Sequence, residues 1–212
     1  LGEAIVADLI KHCPAIAKKA KAGRIVYSLN FELKVGTADW NVDLVLGVPE
    51  LGMTLTAQDL PIANRHPSTV EIAVEIKSVM TEHRKGVKNR KRDLEAHHEH
   101  VHNYNSAAIA GGVLVINGAK RFRSPLRTAP TVHSNPTKLV EHCLKELRAV
   151  TLRHGQQGAG LDARCAIVVD VDNEDWASTL FITKPPVPQV GDPLHYDAFI
   201  QSICNQYTER FR

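Results

Sequence analysis

Three stretches between Arg24 and Val79 alternate apolar and polar residues with a period of two, and no helix-period segment stands between them. Nothing else in the chain restricts the fold as much. A period of two is that of a half-buried strand. Strands joined without a crossover helix pair antiparallel. In the first stretch, 24–35, Ile25, Tyr27, Leu29, Phe31 and Leu33 share a face. In the second, 40–48, Val42, Leu44 and Leu46 lie on one side, with Asp43, Val45 and Gly47 on the other. In the third, 70–79, Val70, Ile72, Val74 and Ile76 oppose Glu71, Ala73, Glu75 and Lys77. Residues 49–69, with three prolines, form a long excursion between the second and third strands.

The remaining chain alternates helix and strand. A helix is expected over 3–21, interrupted at Pro14 and closed by Gly23. Residues 83–104 fit a polar, basic and then His-rich helix, and the apolar run at 112–117 fits a buried strand reached by a crossover. Helices are expected over 137–153 and 194–210, with a buried strand at 166–171 and an irregular, proline-rich segment at 184–193. The fold class is therefore α/β: helix, three-strand antiparallel meander, helix, strand, with additional C-terminal helices and a strand. Residues 1–212 are expected to form one domain, with 1–118 as core and 119–212 as its extension. No apolar run approaches the ~20 residues of a membrane span, so no membrane partner is expected. Cys13, Cys143, Cys165 and Cys204 form no CxxC pair, and no signal peptide is visible, which together point to a reducing, cytoplasmic setting.

Chemistry concentrates on the second and third strands. Asp43 stands among apolar residues on one, and Glu75 and Lys77 point to the same side of the other. Acids embedded in apolar strands are costly unless their charge is offset. Two carboxylates from adjacent strands make an oxygen-rich site for a hard cation such as Mg²⁺, with the Ile76 carbonyl as a further ligand. Such an ion polarises a phosphoryl oxygen and acidifies a bound water, and Lys77 would position that water or offset developing charge. A cross-strand structural ion pair is the alternative.

Asp43…Glu75-Ile76-Lys77 resembles the signature of the PD-(D/E)xK nuclease superfamily, with Val42 in place of the proline that can precede the Asp. The element order over residues 3–117 is similar to that superfamily's restriction-endonuclease-like core. The resemblance implies that Asp43 and Glu75 ligate Mg²⁺, with Mn²⁺ able to substitute, and that Lys77 is the water-positioning base or electrostatic stabiliser. It further implies a metal-dependent deoxyribonuclease leaving 5′-phosphate and 3′-hydroxyl ends. Some members add an acid from the first helix, for which Glu3 is the candidate. Asp39 is an alternative to Asp43 if the strand begins earlier.

Charge distribution points to a polyanion partner. Residues 77–127 hold 11 Lys/Arg against 4 Asp/Glu, a balance of +7, whereas 1–76 and 128–212 are each at −2. Arg84, Lys85, Lys88, Asn89, Arg90, Lys91 and Arg92 are candidates for phosphate contact and base reading. Lys120, Arg121 and Arg123, with Phe122 between them, could add phosphate contacts or a groove-inserting loop. The cluster from His97 to His102 lacks the H-E-x-x-H spacing and any nearby cysteine, and reads as an exposed or DNA-facing helix side. Asp170, Asp172, Glu174 and Asp175 read as a solvated strand end. The expectation is a Mg²⁺-dependent endonuclease of double-stranded DNA, of the type II restriction or defence kind, acting as a homodimer because two strands need two sites. A repair or recombination nuclease or junction resolvase, and a non-catalytic DNA-binding module, are the alternatives.

Overall fold

The computed structural model describes residues 1–35, 38–52, 61–81, 83–124, 128–156, 158–174 and 178–211. Helices α1 (Gly2–His12) and α2 (Pro14–Lys21) come first. Pro14 does more than kink one helix: Cys13 is extended, at φ −114° and ψ 97°, and Pro14 restarts the chain at the first helical position, where its missing N–H costs nothing. Strands β1 (Val26–Val35), β2 (Ala38–Pro49), β3 (Ala63–Asn64) and β4 (Pro67–Val79) follow. Then come α3 (His83–Tyr104), β5 (Ile109–Asn117), the small hairpin β6 (Arg121–Phe122) and β7 (Thr131–Val132), α4 (Pro136–Arg148), β8 (Ala163–Asp170), β9 (Leu180–Phe181) and α5 (Tyr196–Arg210).

Among the described residues, seven strands form one mixed sheet in the order β3-β1-β2-β4-β5-β8-β9. β1, β2 and β4 are the antiparallel meander, despite the excursion between the last two. β5 runs parallel to β4 after the α3 crossover, and β8 parallel to β5 after α4. Residues beyond 118 thus extend the same sheet. α3 and α4 cover one face through Val87, Leu94, Val101, Val140, Leu144 and Leu147. α1, α2 and α5 cover the other through Ile5, Leu9, Ile16, Phe199 and Ile203. Each face buries a separate apolar cluster, the main source of stabilisation for such a layered fold. No helix among the described residues is long and apolar enough to cross a membrane.

Two irregularities place the polar residues of the meander. Asn30 adopts a left-handed φ of 52°, and the otherwise continuous β1–β2 pairing skips the position where Asn30 and Asp43 would meet. Before it, Leu29 and Leu44 pack toward α1; beyond it, Phe31 and Val42 pack toward α3. The far end of the hairpin thus folds over onto α3, where Trp40 stacks on His100 at 4.4 Å.

The second irregularity is a β-bulge. Leu46 pairs with Ile72 but Gly47 pairs with Val70, so Glu71 is an extra residue. A Cβ on Gly47 would lie 1.9 Å from the Thr69 carbonyl oxygen, which explains the glycine. The bulge corrects the simple two-residue alternation. Val70 joins the α3 side, while Glu71 turns to the opposite side, bonded by Lys19 Nζ at 3.1 Å and by the Tyr207 hydroxyl at 2.5 Å. Glu71 and Glu75, expected on one face, lie on opposite faces.

Candidate active site

The last paired residues of β2 and β4 toward the chain's hairpin end are Leu44 and Val74. Past them the strands part: β2 continues along β1 to Ala38, and β4 continues along β5 to Val79. A backbone N–H at such a fork loses its ladder partner, and leaving it buried and unpaired would cost about 1–3 kcal/mol. Asp43 fills the gap, its Oδ2 accepting the Ile76 N–H at 2.7 Å. The Ile76 carbonyl lies on the same edge of the strand as that N–H, because both groups of one strand residue face the same neighbour. Asp39, the other candidate acid, is exposed and pairs with Lys34 further along the hairpin.

Glu75 is next to this fork on the α3 side. Its side chain is 1% exposed and its Oε1 contacts the Lys77 ammonium, which is 23% exposed. Burial raises the Glu75 carboxyl from an ordinary 4.5 to about 6; Lys77 pulls it down and the Asp43 carboxylate pushes it up. Asp43, Glu75 and Lys77, drawn from two strands, are thus electrostatically one group.

Beneath them lies His97, wholly buried. Its Nε2 is 3.3 Å from the Ala73 carbonyl oxygen, and since that oxygen only accepts, the network assigns the proton to Nε2. Nδ1 then faces Glu75 Oε2 at 3.9 Å, and both atoms are buried without a hydrogen-bond partner. Burial lowers the His97 pKa to about 3, so the ring is neutral near pH 7. Two acceptors facing each other repel; a proton on Glu75, or a cation brought against it, relieves the contact.

The histidine cluster therefore differs from the exposed side expected. His97 lies under Glu75; His98, also buried, accepts the Gly160 N–H through Nδ1 at 3.3 Å. His100 stacks on Trp40, and His102 Nε2 meets Asp162 Oδ2 at 3.1 Å. The signal for burial was present: His97 is three residues after Leu94 and four before Val101, both core residues of the same helix face.

The basic segment forms the first half of α3 and is divided by the helical turn. Lys85, Gly86, Asn89 and Arg90 line a cleft of about 310 Å³ with Ser78, Val79, Met80 and Thr81, immediately beyond Lys77 on β4. Arg84 and Lys88 face the other way, toward α4. Arg92 is exposed on the ridge between. Arg90 is paired with Asp93 at 2.8 Å and Lys91 with Glu95 at 3.8 Å.

Lys120, Arg121 and Arg123 are exposed, with Arg123 Nε 3.7 Å from Glu174. Phe122 does not project as a wedge: it is 1% exposed and packs against His133. Residues 125–127 of that run, and Asp175 of the acidic strand end, lie outside the described residues. Asp170 is exposed, and Asp172 Oδ1 accepts the Glu174 N–H at 2.8 Å. Glu3 is exposed on α1, on the sheet face away from α3, and its charge acts on Tyr27.

The oxygen donors near the fork are two carboxylates and one backbone carbonyl: Asp43, whose Oδ2 accepts the Ile76 N–H, Glu75, whose Oε1 contacts Lys77 and whose Oε2 faces His97, and Ile76. That set fits a cation that keeps several waters, as Mg²⁺ does. The orphaned Glu75 oxygen and the mutual repulsion of the two carboxylates point the same way. Among the described residues, no three or more His, Cys, Asp or Glu side chains are arranged to hold a metal ion, so a side-chain cage of the structural-zinc type does not fit. The chain matches no protein-family model, no curated protein and no solved structure.

Proposed function

We propose that the chain is a metal-dependent nuclease that hydrolyses phosphodiester bonds of double-stranded DNA, with a restriction-endonuclease-like core. The observation that carries this reading is the fork itself, where Asp43 meets the Ile76 N–H beside a Glu75–Lys77 pair. Asp43, Glu75 and the Ile76 carbonyl would hold Mg²⁺, with Mn²⁺ as a substitute. When bound, such an ion polarises a phosphoryl oxygen and acidifies a coordinated water.

The chain's own residues do the rest. Lys77, at the solvent edge of Glu75, offers N–H donors to an attacking water or to charge developing on the phosphate. Asp43 is held in place by the Ile76 N–H, so its second oxygen is aimed without loss of side-chain freedom. His97 backs Glu75 from below and excludes water there. The Lys85–Asn89 cleft continues from Lys77 and supplies donors to the flanking phosphates of the cut strand. Cutting both strands of a duplex calls for two such sites, hence a homodimer.

The test is plasmid DNA incubated with purified protein and Mg²⁺. Asp43→Ala and Lys77→Ala are each expected to lower cleavage by about 100-fold or more, leaving duplex binding in chelator intact. Full cleavage by either variant removes the assignment. Comparing linear, circular and four-way-junction DNA separates a restriction-type enzyme, expected to give discrete bands, from a repair nuclease or resolvase. A second reading, a non-catalytic DNA-binding module, is favoured by the depth of Glu75 and the small number of acidic ligands. It predicts no Mg²⁺-dependent cutting by the purified wild-type chain.

A further inference from the structure

A second basic cleft is on the side of α3 away from the Glu75–Lys77 pair. It measures about 760 Å³ and lies between the first turns of α3, the β7 end and the start of α4. Arg84 and Lys88 enter it from α3, His133 and Asn135 from the connection after β7, and Lys138 and His142 from α4. Among the described residues, no acid lines it. Arg84, Lys88 and Lys138 make no ion pair among the described residues, unlike their neighbours Arg90 and Lys91. Unpaired cations gathered in a concavity without an acid raise the local positive potential, and a start of α4 capped by Asn135 adds to it.

The two clefts flank one helix. Residues turn by about 100° each along an α-helix. Arg84 and Lys88 therefore lie about 100° around α3 from Lys85 and Asn89, with Arg92 between the two pairs. A helix with its side chains is about 10–12 Å across, and the major groove of B-DNA is about 12 Å wide. A helix of this width is one the major groove admits, and a basic cleft opens on either side of the exposed face of α3.

We infer that the first half of α3 enters the major groove of duplex DNA. Lys85 and Asn89 then hold the strand cut at Glu75–Lys77, while Arg84, Lys88 and Lys138 hold the phosphates of the complementary strand in the α3–α4 cleft. The inference rests on the proposed nuclease reading for the identity of the cut strand. It adds a binding site built half from residues after 128, and it makes the duplex, not a single strand, the form recognised. Arg92 faces the base edges between the two backbones.

The experiment measures binding in chelator, without turnover, by fluorescence anisotropy of a labelled duplex and of each of its single strands. The combined variant Arg84→Ala, Lys88→Ala, Lys138→Ala is compared with wild type over a salt series. Loss of duplex affinity by about tenfold or more is expected, with single-strand affinity within about twofold of wild type. The slope of log affinity against log salt should fall by about 2.7 for three lost phosphate contacts at about 0.9 each. All three side chains are exposed or border the cleft, so an unchanged melting temperature confirms that folding is intact. Equal losses for duplex and single strand would place both clefts on one strand and overturn the inference. Unchanged duplex binding would overturn it as well, while leaving the nuclease reading standing if Asp43→Ala still abolishes cleavage. Wild-type protein that binds no duplex would fail the substrate reading itself. As a second readout, the variant Lys138→Cys should crosslink to the opposite strand from the variant Asn89→Cys.

Discussion

Replacing Glu75 by glutamine should make the protein more stable and, on the proposed function, remove cleavage at once. In the folded chain the Glu75 carboxyl titrates at about 6 against an ordinary 4.5. Between those two pH values the folded state retains a proton that the unfolded chain has released. Stability therefore falls as pH rises through the window from 4.5 to 6 and stays lower above it. At 1.36 kcal/mol for each pH unit of difference, the charge on Glu75 costs about 2 kcal/mol near neutral pH. Glutamine keeps the shape without the charge, and Lys77, being partly exposed, can turn its ammonium to water. Glu75→Gln should thus exceed wild type by about 2 kcal/mol at pH 8, or roughly 4–8 °C in melting temperature for a chain of this length. Below pH 4.5 the two proteins should be nearly equal. Urea unfolding of both proteins at pH 4, 5, 6 and 8 measures this, and the difference between them cancels the other titrating groups. A gap that is absent at pH 8, or reversed, would refute the account of Glu75 as a buried acid held charged against a local cost. A cost of this kind at a site is what a bound cation would offset, so Mg²⁺ should raise the stability of wild type more than that of the variant.

Other perturbations probe the frame around the site. Asp162 accepts bonds from Arg210 at 2.6 Å, His102 at 3.1 Å and the Ala110 N–H at 2.8 Å, with the Arg153 guanidinium at 4.0 Å. Asp162→Asn leaves buried guanidinium groups without their counter-charge and should cost about 3–5 kcal/mol, read by chemical denaturation. Burial pushes the Asp162 carboxyl up, but these partners together outweigh it and hold its pKa below its ordinary 3.8, so its contribution is present above pH 3.8 and is lost as pH falls below that value. Gly47→Ala would force a Cβ against the Thr69 carbonyl and should destabilise by about 1–3 kcal/mol. Because the bulge sets which way Glu71 and Glu75 face, that variant should also lose the proposed cleavage more steeply than its stability alone would explain.

Much of the frame was legible along the chain. The three period-two stretches became β1, β2 and β4, and the basic and His-rich segment became the single helix α3. Pro14 marked the break between the first two helices, and Val113–Ile116 marked the buried strand β5. Backbone repeats alone dictate these directions, so local residues suffice to read them. Asp43 and Glu75 could be named as candidates for the same reason: acids are rare on otherwise apolar strands.

What brings them together is not local. Asn30 and Asp43 interrupt the β1–β2 pairing, and the strand fork leaves the Ile76 N–H for Asp43 to cap. A one-residue bulge sends Glu71 to Lys19 and Tyr207 on the far side of the sheet. Lys138 and His142 join Arg84 and Lys88 only because α4 packs beside α3. The sequence by itself determined which residues form each strand and helix and which faces are apolar, because those follow from periods of two and 3.6. Only the tertiary structure decided which polar groups share a site. That choice depends on where long-range packing forces a register to slip or a pair of strands to part, and residues dozens of positions away set both.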